Sequence, residues 1–392
     1  MGKYNFDQII QRESTESIKY AGRMEVFGRS DVIPLWVADM DFAVAPAITK
    51  ALSERIKHPI YGYARVPEEF FDSAIRWMER RHQWSVQREE ILLSPGVVPA
   101  FYAAVKAFTE PGDAVIIQPP VYHPFFTAVT HSKRKLLLNP LKLKAHNYEI
   151  DFDHFEECAK KAKLFLFCSP HNPVGRVWTE DELKRLIVIA QKYKLIIFSD
   201  EIHADLVFSH YKHSILANLA KQYNYDRIIT GISPSKTFNI PGLGLATLMI
   251  PNKELRQKYD EELNGFPIKS YNPLSLAAFM AAYNEGEEWL TELLRYLEDT
   301  KYKVEKFIEQ NLSKIQVIPS QGTYLLWLDC RSMKMTDLEL EKFFTHEAKI
   351  GLSPGTLFGS QGSGFMRLNF GAPQSVVLEA LERIKQALYQ KQ

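Results

Sequence analysis

Cysteine is scarce in this chain: Cys158, Cys168 and Cys330 are the only three among 392 residues. Three thiols so scattered support neither a disulfide framework nor a cysteine-based metal site, and no metal is expected. An excess of one charge is also missing. The 48 basic side chains face 47 acidic ones, for a formal net charge of +1. Such balance gives no electrostatic reason to expect a nucleic-acid or anionic-membrane partner. No segment approaches the roughly 20 consecutive apolar residues that a membrane helix needs. The first residues mix Lys3, Asp7, Arg12 and Glu13 with polar neighbours, unlike the apolar stretch of a signal peptide. Repeats, low-complexity tracts and long Gly/Ser linkers are absent too. The expectation is a soluble, cytoplasmic, globular protein, long enough for two or three domains and a large core.

What is present is alternation. Short apolar runs at Ile91–Leu93, Ala114–Ile117, Lys135–Leu138, Leu164–Cys168, Leu195–Ser199, Arg227–Gly231 and Leu245–Ile250 predict strands. Amphipathic stretches lie between them, among them 99–108 and 179–193. In the latter, Thr179 followed by Glu182 is a capping-box signature, and Leu183, Leu186, Ile187 and Ala190 share one face. Strands alternating with helices predict an α/β architecture with a mostly parallel sheet covered on both faces. The style changes at residue 272: long helices over 272–310, strands near 323–329 and 365–370, and a final helix over 374–389 predict a smaller α+β domain. The expected division is an N-terminal arm over 1–45 joining the small domain, a large domain over 46–280 and the small domain over 281–392.

A parallel sheet binds ligands at the carboxyl ends of its strands, so the residues that follow each run matter most. There the sequence sets Ser94-Pro95-Gly96-Val97-Val98, Ser169-Pro170-His171-Asn172-Pro173-Val174-Gly175, Asp200-Glu201-Ile202-His203 and Ser233-Pro234-Ser235-Lys236-Thr237-Phe238. Taken singly, each has an ordinary explanation. An Asp after a strand commonly caps a helix, a lone Lys is commonly solvated, and Asn before Pro is a common turn. Taken together, a carboxylate, an amine, an amide and hydroxyl-rich turns stand at successive strand ends, poised for one ligand.

This order resembles the pyridoxal-phosphate enzymes of the aspartate aminotransferase fold type, whose Asn-Pro-x-Gly, Asp and Ser-x-Ser-Lys elements occur in the same succession. Asp200 follows Asn172 by 28 residues, and Lys236 follows Asp200 by 36. The strings Trp36–Phe42, Asp200–Leu206 and Ser235–Ile240, with His203 where most aminotransferases carry Tyr, resemble the cystathionine β-lyase branch.

The resemblance implies fold type I, pyridoxal 5′-phosphate as cofactor and an amino acid as substrate. It also implies a homodimer with a shared active site. Lys236, Asp200 and Tyr122 are then catalytic: Lys236 holds the cofactor aldehyde and serves as base, Asp200 faces the pyridine nitrogen, and Tyr122 stacks on the ring. Asn172 would donate to the ring's phenolic oxygen, with His203 also lining the cofactor. Val97 and Val98 amides, Ser233, Ser235 and Tyr61 from the neighbouring subunit would hold the phosphate, where a helix N-terminus suits an anion. Arg367 would clamp the substrate carboxylate, with Asn172 and Tyr61 alongside. Many aminotransferases carry a phosphate-binding Arg eight residues after the lysine, whereas this chain has Gly244. The implied activity is carbon–sulfur β-elimination. Alternatives are amino-group transfer, or a lyase with an added regulatory protein-binding role.

Overall fold

The computed structural model describes residues 2–265 and 271–390. Seven strands form the main sheet: β1 (Ile91–Ser94), β2 (Ala114–Ile117), β3 (Lys135–Leu138), β4 (Ala162–Cys168), β5 (Ile196–Asp200), β6 (Ile228–Ile232) and β7 (Ala246–Met249). All seven were legible as apolar runs. Their order across the sheet is β1-β7-β6-β5-β4-β2-β3. Neighbours from β6 to β3 pair in parallel, while β7 runs antiparallel to both β1 and β6. Strands β5, β6 and β7 are buried at every residue, because helices cover both faces of the sheet.

The helix Glu180–Lys192 starts where the capping box predicts: Thr179 Oγ1 accepts from the Glu182 amide, and the Glu182 carboxylate accepts from the Thr179 amide. The helix after β1 begins at Val97, two residues earlier than its apolar spacing suggests, since Pro99 is tolerated in a first turn.

A second, antiparallel sheet is built from β8 (Gln316–Ile318), β9 (Leu325–Asp329), β10 (Ser353–Pro354) and β11 (Phe365–Asn369), in the order β8-β9-β11-β10. The long helix Glu287–Asn311 and the terminal helix Gln374–Tyr389 pack together beside it. From the N-terminal segment, Ile33–Pro34 pairs in parallel with Ile350–Gly351. The expected boundary at 280/281 falls inside the helix Pro273–Glu285, which packs on Pro46–Lys57. Gly286 separates that helix from Glu287–Asn311. Among the described residues no helix is long and apolar enough to cross a membrane, and no cluster of His, Cys, Asp and Glu is arranged to hold a metal.

Candidate active site

Three adjacent strand ends form the floor of the site. Asp200 is the last residue of β5, and its Cα faces Cys168 of β4 on one side and Gly231 of β6 on the other. Its carboxyl group is buried and accepts one backbone hydrogen bond, from Ile202 at 3.3 Å. Burial pushes its pKa up to about 7, although the Ile202 amide and the positive charge of Lys236 pull the other way.

After β6 the chain turns through a single helical turn, Pro234–Thr237, which brings the Lys236 amine within electrostatic reach of Asp200. Desolvation lowers the Lys236 amine to about 8, against the attraction of Asp39 and Asp200 and with the repulsion of Arg367. The Lys236 Nζ donates to the Ala38 carbonyl at 2.7 Å. Ser233 has a structural task within the turn. Its Oγ accepts from the Ser235 amide at 3.1 Å and donates its one hydrogen to the Leu245 carbonyl at 2.7 Å. Of the two serines, Ser235 is therefore the better donor to an anion.

Beyond β4, Asn172–Pro173 is a cis peptide, and Ser169–Pro170 is another. The loop closes through hydrogen bonds from His171 N to Arg176 O and from Gly175 N to His171 O, both 2.8 Å. Gly175 adopts a φ of +70°, and a Cβ there would lie 2.4 Å from Ser320 Oγ, so only glycine fits. The closed loop aims Asn172 at Arg367, whose Nη1 donates to Asn172 Oδ1 at 3.2 Å. Arg367 is itself buried on β11, and its Nη2 donates to Trp36 O at 2.6 Å and Ser353 Oγ at 3.2 Å. Its Nε has no hydrogen-bond partner among the described residues, and burial lowers its pKa to about 10.

Tyr122 adjoins this group. Its amide donates to the Asn172 carbonyl at 3.2 Å, and its hydroxyl senses the charges of Asp200 and Arg367. His203 is buried with an unpartnered Nδ1, and desolvation lowers its pKa to about 3. The Val97–Phe108 helix has no side-chain cap at Gly96, which leaves its first amides available. Tyr61 alone stands apart: it is exposed, and its hydroxyl donates to Ile56 O in the last turn of the helix Pro46–Lys57.

The structure adds residues to which the sequence reading assigned no role. The string Trp36–Phe42 lines the site with backbone carbonyls rather than side chains: Trp36 O meets Arg367, and Ala38 O meets both Lys236 and Tyr324. Asn369 Nδ2 binds Val37 O and Asp39 O, while Asn239 Nδ2 binds Met40 O and Phe42 O. Arg12 and Lys19 pin Asp39 and Asp41 behind the string. His123, ring-to-ring 5.2 Å from Tyr122, and Tyr324, 6.0 Å from the His203 ring, complete the walls. That the string Trp36–Phe42 marks a branch was the available signal; its carbonyls carry no side-chain signature.

Aminotransferase class I and II is the family description that matches, over residues 30–384. The chain belongs to this family. It is 41% identical to the cystathionine β-lyase PatB of Bacillus subtilis strain 168, over 98% of this chain and 100% of the relative. It is 32% identical to the protein MalY of Escherichia coli K12, over 95% of each chain. Among solved structures it resembles cystalysin from Treponema denticola, which contains a pyridoxal 5′-phosphate cofactor. The TM-score is 0.96 at 38% identity, over 99% of this chain and 100% of that one. Within the family, Gly244 takes the place expected for a phosphate-binding Arg, and the structure gives a local reason. A Cβ on Gly244 would lie 2.8 Å from the Pro95 carbonyl.

Proposed function

We propose that the protein is a pyridoxal-phosphate-dependent carbon–sulfur β-lyase that acts on cystathionine and related thioether amino acids. With cystathionine and one water, the products are homocysteine, pyruvate and ammonia. The observation that carries this reading is the meeting of three groups at the strand ends: the Lys236 amine held by Ala38 O, the buried Asp200 carboxyl and the buried Arg367 that Asn172 orients.

The donor set fits the cofactor. Asp200, buried with a single backbone hydrogen bond, lacks the cationic partner that a protonated ring nitrogen would provide. The unpartnered His203 Nδ1 and the open amides of Val97 and Val98 suit a phosphorylated heteroaromatic ring. Lys236 would carry the cofactor, Asn172 and Tyr122 would fix its ring, and Ser235 would join the amides on the phosphate. When bound, pyridoxal phosphate supplies the electron sink for the charge left at the substrate's Cα.

The chain's own residues handle orientation and protons. Arg367, already held by Trp36 O, Ser353 and Asn172, would grip the substrate carboxylate in a fixed orientation. An amine with a pKa near 8 is roughly a tenth neutral at pH 7, against well under a thousandth for an ordinary lysine. Lys236 is thus suited to take the Cα proton. Tyr61, exposed on its own subunit, supports a homodimer in which it completes the neighbour's phosphate site.

The deciding assay measures pyruvate and thiol released from cystathionine against keto-acid-dependent amino transfer. Elimination dominating transfer is expected. Transfer without pyruvate release overturns the lyase reading.

A further inference from the structure

A cavity of about 590 Å³ lies at the opposite end of the main sheet from the cofactor site, where β4 and β5 begin at Ala162 and Ile196. Strand β5 carries the chain from there to Asp200, roughly 13 Å away at strand rise, so this cavity is separate from the cofactor site. Its charge is one-sided. Lys160, Lys161, Lys163, Lys194, Arg227 and Lys258 line it, against one carboxylate, Glu254.

Two ordinary explanations cover part of this set. Lys160 is paired with Glu157 at 2.5 Å. Lys160 and Lys194 also sit at or just beyond the ends of Phe152–Ala159 and Glu180–Lys192, where cations favourably meet the helix dipole. Neither explanation reaches Lys163 on β4, Arg227 before β6 or Lys258 on the helix Lys253–Asn264. Among the described residues none of these three has a carboxylate within ion-pair distance, and the Arg227 Nε is buried without a hydrogen-bond partner. Elements far apart in sequence thus bring like charges together in a chain whose formal net charge is only +1. Such convergence costs repulsion unless an anion offsets it.

We propose that this cavity binds a small oligophosphate, either free or as the phosphate tail of a nucleotide. Several cations spread around the walls match a chain of phosphates better than one. Phe108 and Tyr193, also in the lining, offer apolar surface beside them. The volume falls within the roughly 300–1,000 Å³ usual for small-molecule sites. The inference does not depend on the lyase reading.

The test is isothermal titration of the holoenzyme, saturated with its cofactor, using tripolyphosphate in one arm and ATP in the other at low salt without divalent cations. Saturable binding of one equivalent is expected. A Lys163→Ala/Lys258→Ala double variant should weaken it at least about tenfold and flatten its salt dependence. A Lys142→Ala/Lys144→Ala control, whose lysines pair with Asp151 and Glu149 on another face, should leave it unchanged. Equal affinity in the two arms identifies the phosphates as the recognised group, and tighter ATP binding adds the apolar lining; either supports the site. Absence of saturation in both arms, or equal weakening by the two double variants, overturns it. Circular dichroism and melting temperature confirm that both variants fold.

Discussion

Lys236 Nζ and Tyr324 Oη donate to the same acceptor, the carbonyl of Ala38, at 2.7 and 2.9 Å. The amine at the end of β6 is thus held by a backbone carbonyl almost 200 residues earlier in the chain. Lys236→Ala removes both the cofactor's attachment and the base. It should abolish the visible band of covalently held cofactor and lower kcat by at least about a thousandfold. Retention of the band after gel filtration would show attachment elsewhere.

Asp200 gives a pH-dependent prediction with a definite sign. Its folded pKa, about 7, lies above the ordinary 3.8, so the native state binds the proton more tightly than the unfolded chain. In cofactor-stripped protein the carboxyl contributes nothing below about pH 4, increasingly destabilises between 4 and 7, and destabilises fully above 7. Asp200→Asn, which cannot ionise, should therefore raise Tm at pH 8 by several degrees, on the order of a few kcal/mol, with no gain at pH 4. The same substitution should cripple the loaded enzyme. A Tm gain independent of pH would refute this assignment.

Lys236 has the opposite pH slope. Its pKa falls from 10.5 to about 8, so the unfolded chain holds more protons between those values, and stripped protein gains stability as pH rises through that window. Lys236→Met should stabilise stripped protein at pH 7 and lose that advantage by about pH 10.5. Urea titrations at the two pH values measure the difference.

Arg367→Lys keeps the charge but loses the planar fork that Trp36 O, Ser353 and Asn172 hold in place. A charged hydrogen bond contributes about 1.5–3 kcal/mol, so kcat/KM should fall about 10- to 100-fold, with most of the loss in KM. A change confined to kcat would place the carboxylate elsewhere.

Gly244→Arg tests why the common phosphate-binding arginine is absent. A side chain at 244 meets the Pro95 carbonyl at 2.8 Å, so the turn must shift before any guanidinium can reach a phosphate. Equilibrium dialysis should show weaker cofactor retention, not tighter.

Mixing Tyr61→Phe with Lys236→Ala subunits probes the shared site. If Tyr61 serves the neighbour, half of the subunits pair unlike, and each such dimer keeps one intact site. Activity should recover to about a quarter of wild type after reassociation. No recovery would confine Tyr61 to its own subunit.

The main-sheet strands were readable because a parallel strand buried on both faces is written as a continuous apolar run, as in Ile196–Asp200. Asn172, Asp200 and Lys236 were readable because each follows such a run. Local sequence also fixed the Thr179 cap and the turn at Gly175, which depend on residues only a few positions apart. Tertiary structure alone inserted β7 antiparallel between β1 and β6. It also assigned the proton of Ser233 to Leu245 and set the carbonyls of Trp36 and Ala38 against Arg367 and Lys236. Carbonyls are the same in every residue, so no side-chain pattern announces where they will point. Burial, which moves Asp200 up and Lys236 down, is likewise a property of everything packed around a group. The sequence therefore determined which chemical groups stand at the strand ends, and packing determined which of them meet and how tightly each holds its proton.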